Sequence, residues 1–268
     1  MDFHAKAQRR KERKMEAREE VPKVTVLEDA SEVARAAAER FVELAQSAVE
    51  ERGRFAVALA GGSTPKRTYE LLAGDDYRDR LDWSKAHVFF GDERMVPPDD
   101  AESNYRMASE AMLSRLPVPP ENVHRINGLG DAVANARLYE DELRTFFNDA
   151  AWPSFDLVLL GMGDDGHTAS LFPGTRALDE REAWAAANWV EKLNAYRVTL
   201  TAPAINRAAR VIFLVTGANK AGPLVEVLKG EFNPRRLPSQ LIKPLDGSLE
   251  WLVDVAAAAR LVAASGRK

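Results

Sequence analysis

A chain of 268 residues, 46% hydrophobic and 29% charged, holds enough apolar material for a sizeable α/β core, which sets aside the disordered and fibrous classes. A formal net charge of −4 gives no general pull toward nucleic acid or an anionic membrane, so neither is expected as a partner and any anion-binding surface has to be local. With no cysteine, disulfides, thiolate metal sites and a cysteine nucleophile are excluded, and a reducing, cytoplasmic location is compatible and expected.

Residues 1–20, MDFHAKAQRRKERKMEAREE, contain seven Lys or Arg and five Asp or Glu with almost nothing to bury. They read as a frayed, solvated helix, since a transit peptide would be poor in acids. No segment approaches the roughly 18 consecutive apolar residues of a membrane span. Residues 21–268 are expected to form one domain, because no linker rich in Gly, Pro or Ser and no internal repeat interrupts them.

The first strand-like run is KVTVL, 23–27. From Ser31 to Glu51, Val33, Ala37, Phe41, Leu44, Ala45 and Ala48 recur at helical spacing. FAVALA, 55–60, is continuously apolar and is followed by Gly61, Gly62, Ser63, Thr64 and Pro65, then a helical segment. Glycines let a backbone approach a ligand, and a helix N-terminus with open N–H groups attracts anions; Pro65 suits its first position. HVFF, 87–90, leads into Gly91, Asp92, Glu93 and Arg94, and residues 97–104 read as a loop.

FDLVLL, 155–160, leaves through GMGDDGHTASLFPG: three glycines, Asp164 and Asp165 precede His167, where core packing does not call for an imidazole. Residues 176–194 read as a loop or lid. RVTLT, 197–201, opens with Arg197; VIFLV, 211–215, is followed by Thr216, Gly217, Ala218, Asn219 and Lys220; LEWLV, 249–253, is the last strand-like run.

Strands alternating with helices predict parallel pairing, and continuous apolar strands predict a sheet covered on both faces: a doubly wound, mostly parallel α/β fold. Such sheets bind ligands beyond the carboxyl ends of their strands. There the chain delivers Arg94, Arg197, Lys220 and the amides of 61–64, which suit a phosphorylated ligand. It also delivers His167 with Asp92, Asp164 and Asp165, which suit chemistry beside it. Each has a plainer reading: GGSTP as a strand-to-helix turn capped by Ser or Thr, Asp92 and Arg94 as a surface pair, Arg197 and Lys220 as solvated charges. His87 and His124 read as structural.

Three sharper motifs fail. GMGDDGHT departs from the phosphate loop GxxxxGK[ST] by placing two aspartates where polyphosphate would lie and His167 where the lysine belongs. GGSTP has Pro65 where a nucleophile elbow needs glycine. Asp164, Asp165 and His167 lack a second histidine or an HExxH-like helix, so chemistry without metal or cofactor is expected.

Six blocks in one order carry a family resemblance: AGGSTPKRTYELLA, FFGDERMVPPDDAESNYRMA, FDLVLLGMGDDGHTASLFPG, YRVTLTAPAINRA, FLVTGANKA and LPSQLIKPLDGSLEWLVDVAAA. Together, over about Val24 to Ala259, they resemble the 6-phosphogluconolactonase family of the pentose phosphate pathway. The resemblance implies a fold related to glucosamine-6-phosphate deaminase and ribose-5-phosphate isomerase. The deaminase segment resembles GxDGHIAFNEPG and uses its glutamate as a proton relay, whereas here Phe172 precedes Pro173, and a phenyl ring cannot carry a proton. The deaminase Asp-Glu-Tyr is also replaced by Asp92, Glu93 and Arg94. One departure from the lactonases is KLNAYRVTL, which lacks the prolines that members often carry there. A non-catalytic sugar-phosphate sensor on this fold would carry a helix-turn-helix module, for which residues 1–20 are too short and too uniformly charged.

The resemblance implies metal-free hydrolysis of 6-phospho-D-glucono-1,5-lactone to 6-phospho-D-gluconate, without a cofactor or covalent intermediate, by a monomer or small homo-oligomer. His167 is expected to act as general base, an imidazole titrating near neutrality being suited to that task. Asp164 or Asp165 would hold its tautomer, and Asp92 would orient water or a sugar hydroxyl. Gly61, Gly62, Ser63, Thr64, Arg94, Arg197 and Lys220 would hold the phosphate. Backbone amides of 161–166 or 61–63 would face the oxyanion.

Overall fold

A computed structural model of the chain describes residues 23–265, with side chains described to position 261. The reading of residues 1–20 falls outside them. In chain order the elements are β1 (Lys23–Leu27), α1 (Ala30–Arg52), β2 (Phe55–Leu59), α2 (Ser63–Leu72), β3 (Ala86–Phe90), β4 (Asp92–Arg94), α3 (Asn104–Ala111), β5 (Val123–His124) and α4 (Ala132–Phe146). There follow β6 (Leu157–Gly161), β7 (Ala185–Val190), β8 (Ala195–Leu200), α5 (Ala202–Ile205), β9 (Arg210–Val215), α6 (Ala221–Lys229), β10 (Ser248–Asp254) and α7 (Val255–Ser265).

Helix α1 shows how local chemistry sets the boundaries. Asp29 accepts from the amides of Ser31 and Glu32 at 2.7 and 3.0 Å, and Gly53 ends the helix with φ of 72° while donating its N–H to Val49. Its Val33, Ala37, Phe41 and Ala45 face is fully buried, with the Phe41 ring edge-on to Phe55 at 5.1 Å.

Among the described residues the strands form two sheets. The larger is parallel throughout, in the order β1-β10-β9-β6-β2-β3-β5. From β2 the chain winds outward through β3 to β5; it then returns to β6 on the other side of β2 and winds the opposite way through β9 and β10. The winding therefore reverses between β2 and β6, and a ligand crevice is expected beyond their carboxyl ends. Those ends are close: a Cβ built on Gly161 would lie 4.0 Å from the Gly61 carbonyl. Among the described residues no helix is long and apolar enough to cross a membrane.

The smaller sheet corrects two expectations. RVTLT belongs to β8, which runs antiparallel to both β4 and β7 rather than joining the parallel sheet. Residues 176–194 are not wholly a loop: β7 occupies 185–190, and Asn194, at φ of 47°, turns the chain back into β8. Both follow from a short hairpin, since adjacent strands joined by so few residues can pair only antiparallel. Without the prolines the lactonases often carry here, Ala195 and Tyr196 extend the β7–β8 ladder opposite Val190 and Trp189.

Candidate active site

The strand exits that face the crevice are pinned by buried tyrosines. Ala60 N–H donates to Tyr69 Oη at 3.0 Å and Tyr69 O–H donates back to the Ala60 carbonyl at 2.9 Å. Tyr139 treats Phe90, one residue before Gly91, in the same way at 3.0 and 2.8 Å. Gly91 joins the two sheets, donating to the Leu59 carbonyl and accepting from Leu200, each at 2.8 Å. The exits of β2 and β3 are thus held in place before any ligand arrives.

After β2, Gly62 at φ of 106° takes the cap position of α2, and no side chain caps that helix. Ser63 and Thr64 therefore lie inside the first turn rather than capping it, and Pro65 is the third helical residue, not the first. Any first-turn position tolerates proline, because none of those N–H groups has an intrahelical acceptor. Gly62 and Ser63 are exposed, so the open first-turn amides are accessible. Thr64 Oγ1 lies 2.8 Å from Thr216 Oγ1, tying this turn to the exit of β9.

The loop after β6 curls back on itself. Gly163 N–H donates to the His167 carbonyl at 2.8 Å, and Gly166 N–H to the Gly163 carbonyl at 3.2 Å, so these amides are spent within the loop. Gly166, at φ of 76°, lies against Leu237: a Cβ there would meet Leu237 Cδ2 at 2.6 Å. The curl brings His167 Nδ1 to 2.5 Å from Asp165 Oδ1, which also accepts from the His167 amide at 3.1 Å. A Cβ on Gly163 would lie 2.1 Å from His167 Nδ1, so the ring occupies space that only glycine leaves.

The second Asp165 oxygen is taken by Lys192 Nζ, from the turn between β7 and β8. Burial pushes the Asp165 carboxyl up, but the hydrogen bonds from His167 and Lys192 outweigh it and hold it well below the usual carboxylate range. Phe172 stacks on the imidazole with centroids 4.1 Å apart. With Nδ1 donating to Asp165, the neutral ring carries its lone pair on Nε2, which has no protein partner among the described residues.

Asp92 is buried, 7% exposed, and accepts from Ser170 Oγ at 2.6 Å and Asn104 Nδ2 at 3.2 Å. Asn104 also packs on the β2 exit, where a Cβ on Gly61 would fall 2.0 Å from its Oδ1. Glu93 accepts from the amides of Arg94, Asn104 and Tyr105, each at 2.8 Å, and so holds the start of α3. Burial nevertheless pushes its carboxyl up.

One face of the small sheet gathers Asp92, Arg94, Arg197, Thr199 and Asn188, which register places at facing positions. That face is fastened to the residues after His167: Ser170 N–H donates to Thr199 Oγ1 at 3.2 Å, and Asn188 Nδ2 donates to the Ser170 carbonyl at 2.8 Å. Arg94 donates to the Glu102 carbonyl at 2.5 Å. Arg197 lies mid-strand and half-buried; burial, then the neighbouring Arg94 charge, lowers the affinity of its guanidinium for its proton.

The structure links Gly61 to Asp92 through Asn104, sets Arg94 opposite Arg197, and pairs Asp165 with His167 in a loop whose Ser170 is bonded to Asp92 and Thr199, with Gly62, Ser63 and Thr64 on the turn after β2. Asp164 is exposed and has no hydrogen-bond partner among the described side chains. Lys220 follows the exit of β9, where no hydrogen bond ties its ammonium to the other candidates. A cavity of about 370 Å3 flanks the loop on the side of Asp164, Gly222 and Leu237. Asp165 and Arg236 also line it, but His167, Arg94 and Arg197 do not, so it adjoins the back of the His167–Asp165 pair rather than enclosing the candidate residues. Among the described residues no group of three or more His, Asp or Glu is arranged to hold a metal ion. Asn104, Ser170 and Lys192 are additions to the residues expected from sequence; the first two sit within the quoted family blocks.

Comparison with known proteins shows the family and the fold. The sequence profile of the glucosamine-6-phosphate isomerases/6-phosphogluconolactonase matches residues 28–251. A 6-phosphogluconolactonase of Nostoc sp. (strain PCC 7120) is 44% identical over 241 residues, covering 89% of this chain and 98% of the relative. The solved structure of 6-phosphogluconolactonase from Trypanosoma cruzi superposes with a TM-score of 0.79 at 31% identity, over 90% of this chain and 97% of that one. A monomeric glucosamine-6-phosphate deaminase superposes with a TM-score of 0.74 at 22% identity, over 89% of this chain and 99% of that one, a likeness of fold alone.

Proposed function

Because the chain belongs to the glucosamine-6-phosphate isomerase/6-phosphogluconolactonase family, we propose that it hydrolyses 6-phospho-D-glucono-1,5-lactone to 6-phospho-D-gluconate, with His167 as general base. The observation that carries this reading is the pairing of His167 Nδ1 with Asp165, which leaves Nε2 free in a loop fastened to the Asp92, Arg94 and Arg197 face.

In the first step His167 Nε2 takes a proton from water as the water oxygen attacks C1 of the lactone. The carbonyl π pair moves onto its oxygen. That oxyanion needs donors, and with the Gly163 and Gly166 amides spent inside the loop, the open amides at 62–63 are the better candidates. In the second step the carbonyl re-forms, the bond from C1 to the ring oxygen breaks, and the imidazolium returns its proton to that oxygen. Ring opening thus consumes one water, and Asp165 stabilises the imidazolium between the steps, a base contribution typically worth ~10²–10⁴-fold.

Arg94 and Arg197 are assigned to the phosphate, with Lys220 as a further contact, so that C1 is held at attack distance. Asp92, fixed by Ser170 and Asn104, is assigned to the water or a sugar hydroxyl. Phe172, stacked on the imidazole, offers no group for the proton relay that a deaminase requires. Acid release from the lactone, with the spontaneous background subtracted, tests the reading. Ammonia release from glucosamine 6-phosphate would instead identify a deaminase.

A further inference from the structure

We infer that Lys192, at the tip of the β7–β8 hairpin, is a positioning residue that fixes the orientation of His167 by holding the two groups that touch its ring. The inference rests on the reading of His167 as the base. Two separate contacts support it. Lys192 Nζ pairs with the Asp165 oxygen that His167 does not use, so the carboxylate cannot rotate away from the imidazole without breaking an ion pair. The same ammonium lies 5.0 Å from the centroid of the Phe172 ring, whose face stacks on the imidazole at 4.1 Å. One cation therefore braces the ring in its plane, through Asp165, and across its face, through Phe172.

The brace comes from a different part of the fold than the ring. Asp165, His167 and Phe172 follow β6 of the large sheet, whereas Lys192 belongs to the small antiparallel sheet, where Asn188 is also bonded to Ser170. Lys192 thus adds a further fastening, at the other end of the loop, between the hairpin that carries Arg197 and the loop that carries the base. Its side chain is 51% exposed, and an ion pair so open to solvent stabilises a fold little. Its effect is accordingly on geometry: a carboxylate free to swing misplaces the imidazole, and displacement on the order of 1 Å costs about 10²-fold in rate.

The test compares Lys192→Met, Lys192→Arg, Asp165→Asn and the Lys192→Met/Asp165→Asn pair, with His167→Gln alongside, all on lactone hydrolysis. Lys192→Met is expected to lower kcat by roughly 10- to 100-fold with KM within about threefold of the parent. Its melting temperature should stay within about 4 °C. Lys192→Arg, which retains the cation, should recover most of the loss. In the Asp165→Asn background Lys192→Met should cost little more, because the two act through one another. An inactive His167→Gln beside a Lys192→Met of parental kcat would overturn this inference and leave the base intact. A rise in KM at constant kcat would overturn it too, placing Lys192 on the substrate. Full activity in His167→Gln would instead remove the base reading itself.

Discussion

Arg94 and Arg197 stand directly opposite each other across the β4–β8 ladder, two guanidinium groups at one cross-strand position. Like charges at such a position destabilise a sheet, and burial with the Arg94 charge outweighs the favourable charges of Asp92, Glu102 and Glu93 on the Arg197 guanidinium. A phosphate dianion bound between the two, as proposed for the substrate, would offset that cost.

Replacing Arg197 by Met should therefore affect binding and stability in opposite senses. Losing a charge-assisted contact of about 1.5–3 kcal/mol raises KM by roughly 10- to 150-fold, while the melting temperature of the free protein holds or rises. Inorganic phosphate should raise the parental melting temperature, and that shift should disappear in Arg197→Met. Steady-state kinetics and a thermal melt with and without phosphate check both halves.

Gly163 is predicted to be intolerant of a single methyl group for a catalytic reason. Its φ is not in the left-handed region, so the backbone accepts alanine, but the added Cβ would meet His167 Nδ1 at 2.1 Å and Asp165 Oδ1 at 2.8 Å. Gly163→Ala should keep its circular dichroism and lose about 10²-fold in kcat, with KM little changed. A folded variant of parental kcat would show that the His167–Asp165 pairing does not matter to the rate.

How much of this was legible in the sequence follows from which residues carry a local signal. The buried parallel strands were, because runs such as FAVAL and VIFLV are apolar at every position and could be covered only on both faces. Strands β4 and β5, of three and two residues, are too short for any pattern, and the alanines of β7 hide it. The direction of β8 was not legible either, since it depends on the turn at 191–194 and on a partner, Asp92–Arg94, a hundred residues earlier.

In the site, His167 stood out because three glycines precede it. Which aspartate serves it did not, because Asp164 and Asp165 differ only in where the curl set by Gly163 and Gly166 points them. Lys192 gave no signal, as a lone lysine in a loop usually is solvated.

A pH effect on stability is expected far from the site. His87 Nδ1 lies 3.2 Å from His124 Nε2, and His124 Nδ1 lies 2.7 Å from Glu142 Oε1. Burial, then the charges of His124 and Arg54, pushes His87 down to about 4. Between that value and the ~6.5 of an unfolded histidine, the unfolded chain binds the proton and the folded one does not. The stabilisation from His87 is thus complete above the upper value, is lost as pH falls toward the lower one, and changes no further below it. Melting temperature measured across that window should fall less steeply for His87→Gln than for the parent. Parallel curves would contradict the assignment.

Lactone hydrolysis by His167→Gln, followed as acid release with the spontaneous rate subtracted, tests most directly whether His167 is the base. The predicted result is a folded protein with KM near the parent and kcat lowered by ~10²–10⁴-fold. Parental kcat in that variant would contradict the assignment of His167 as the base.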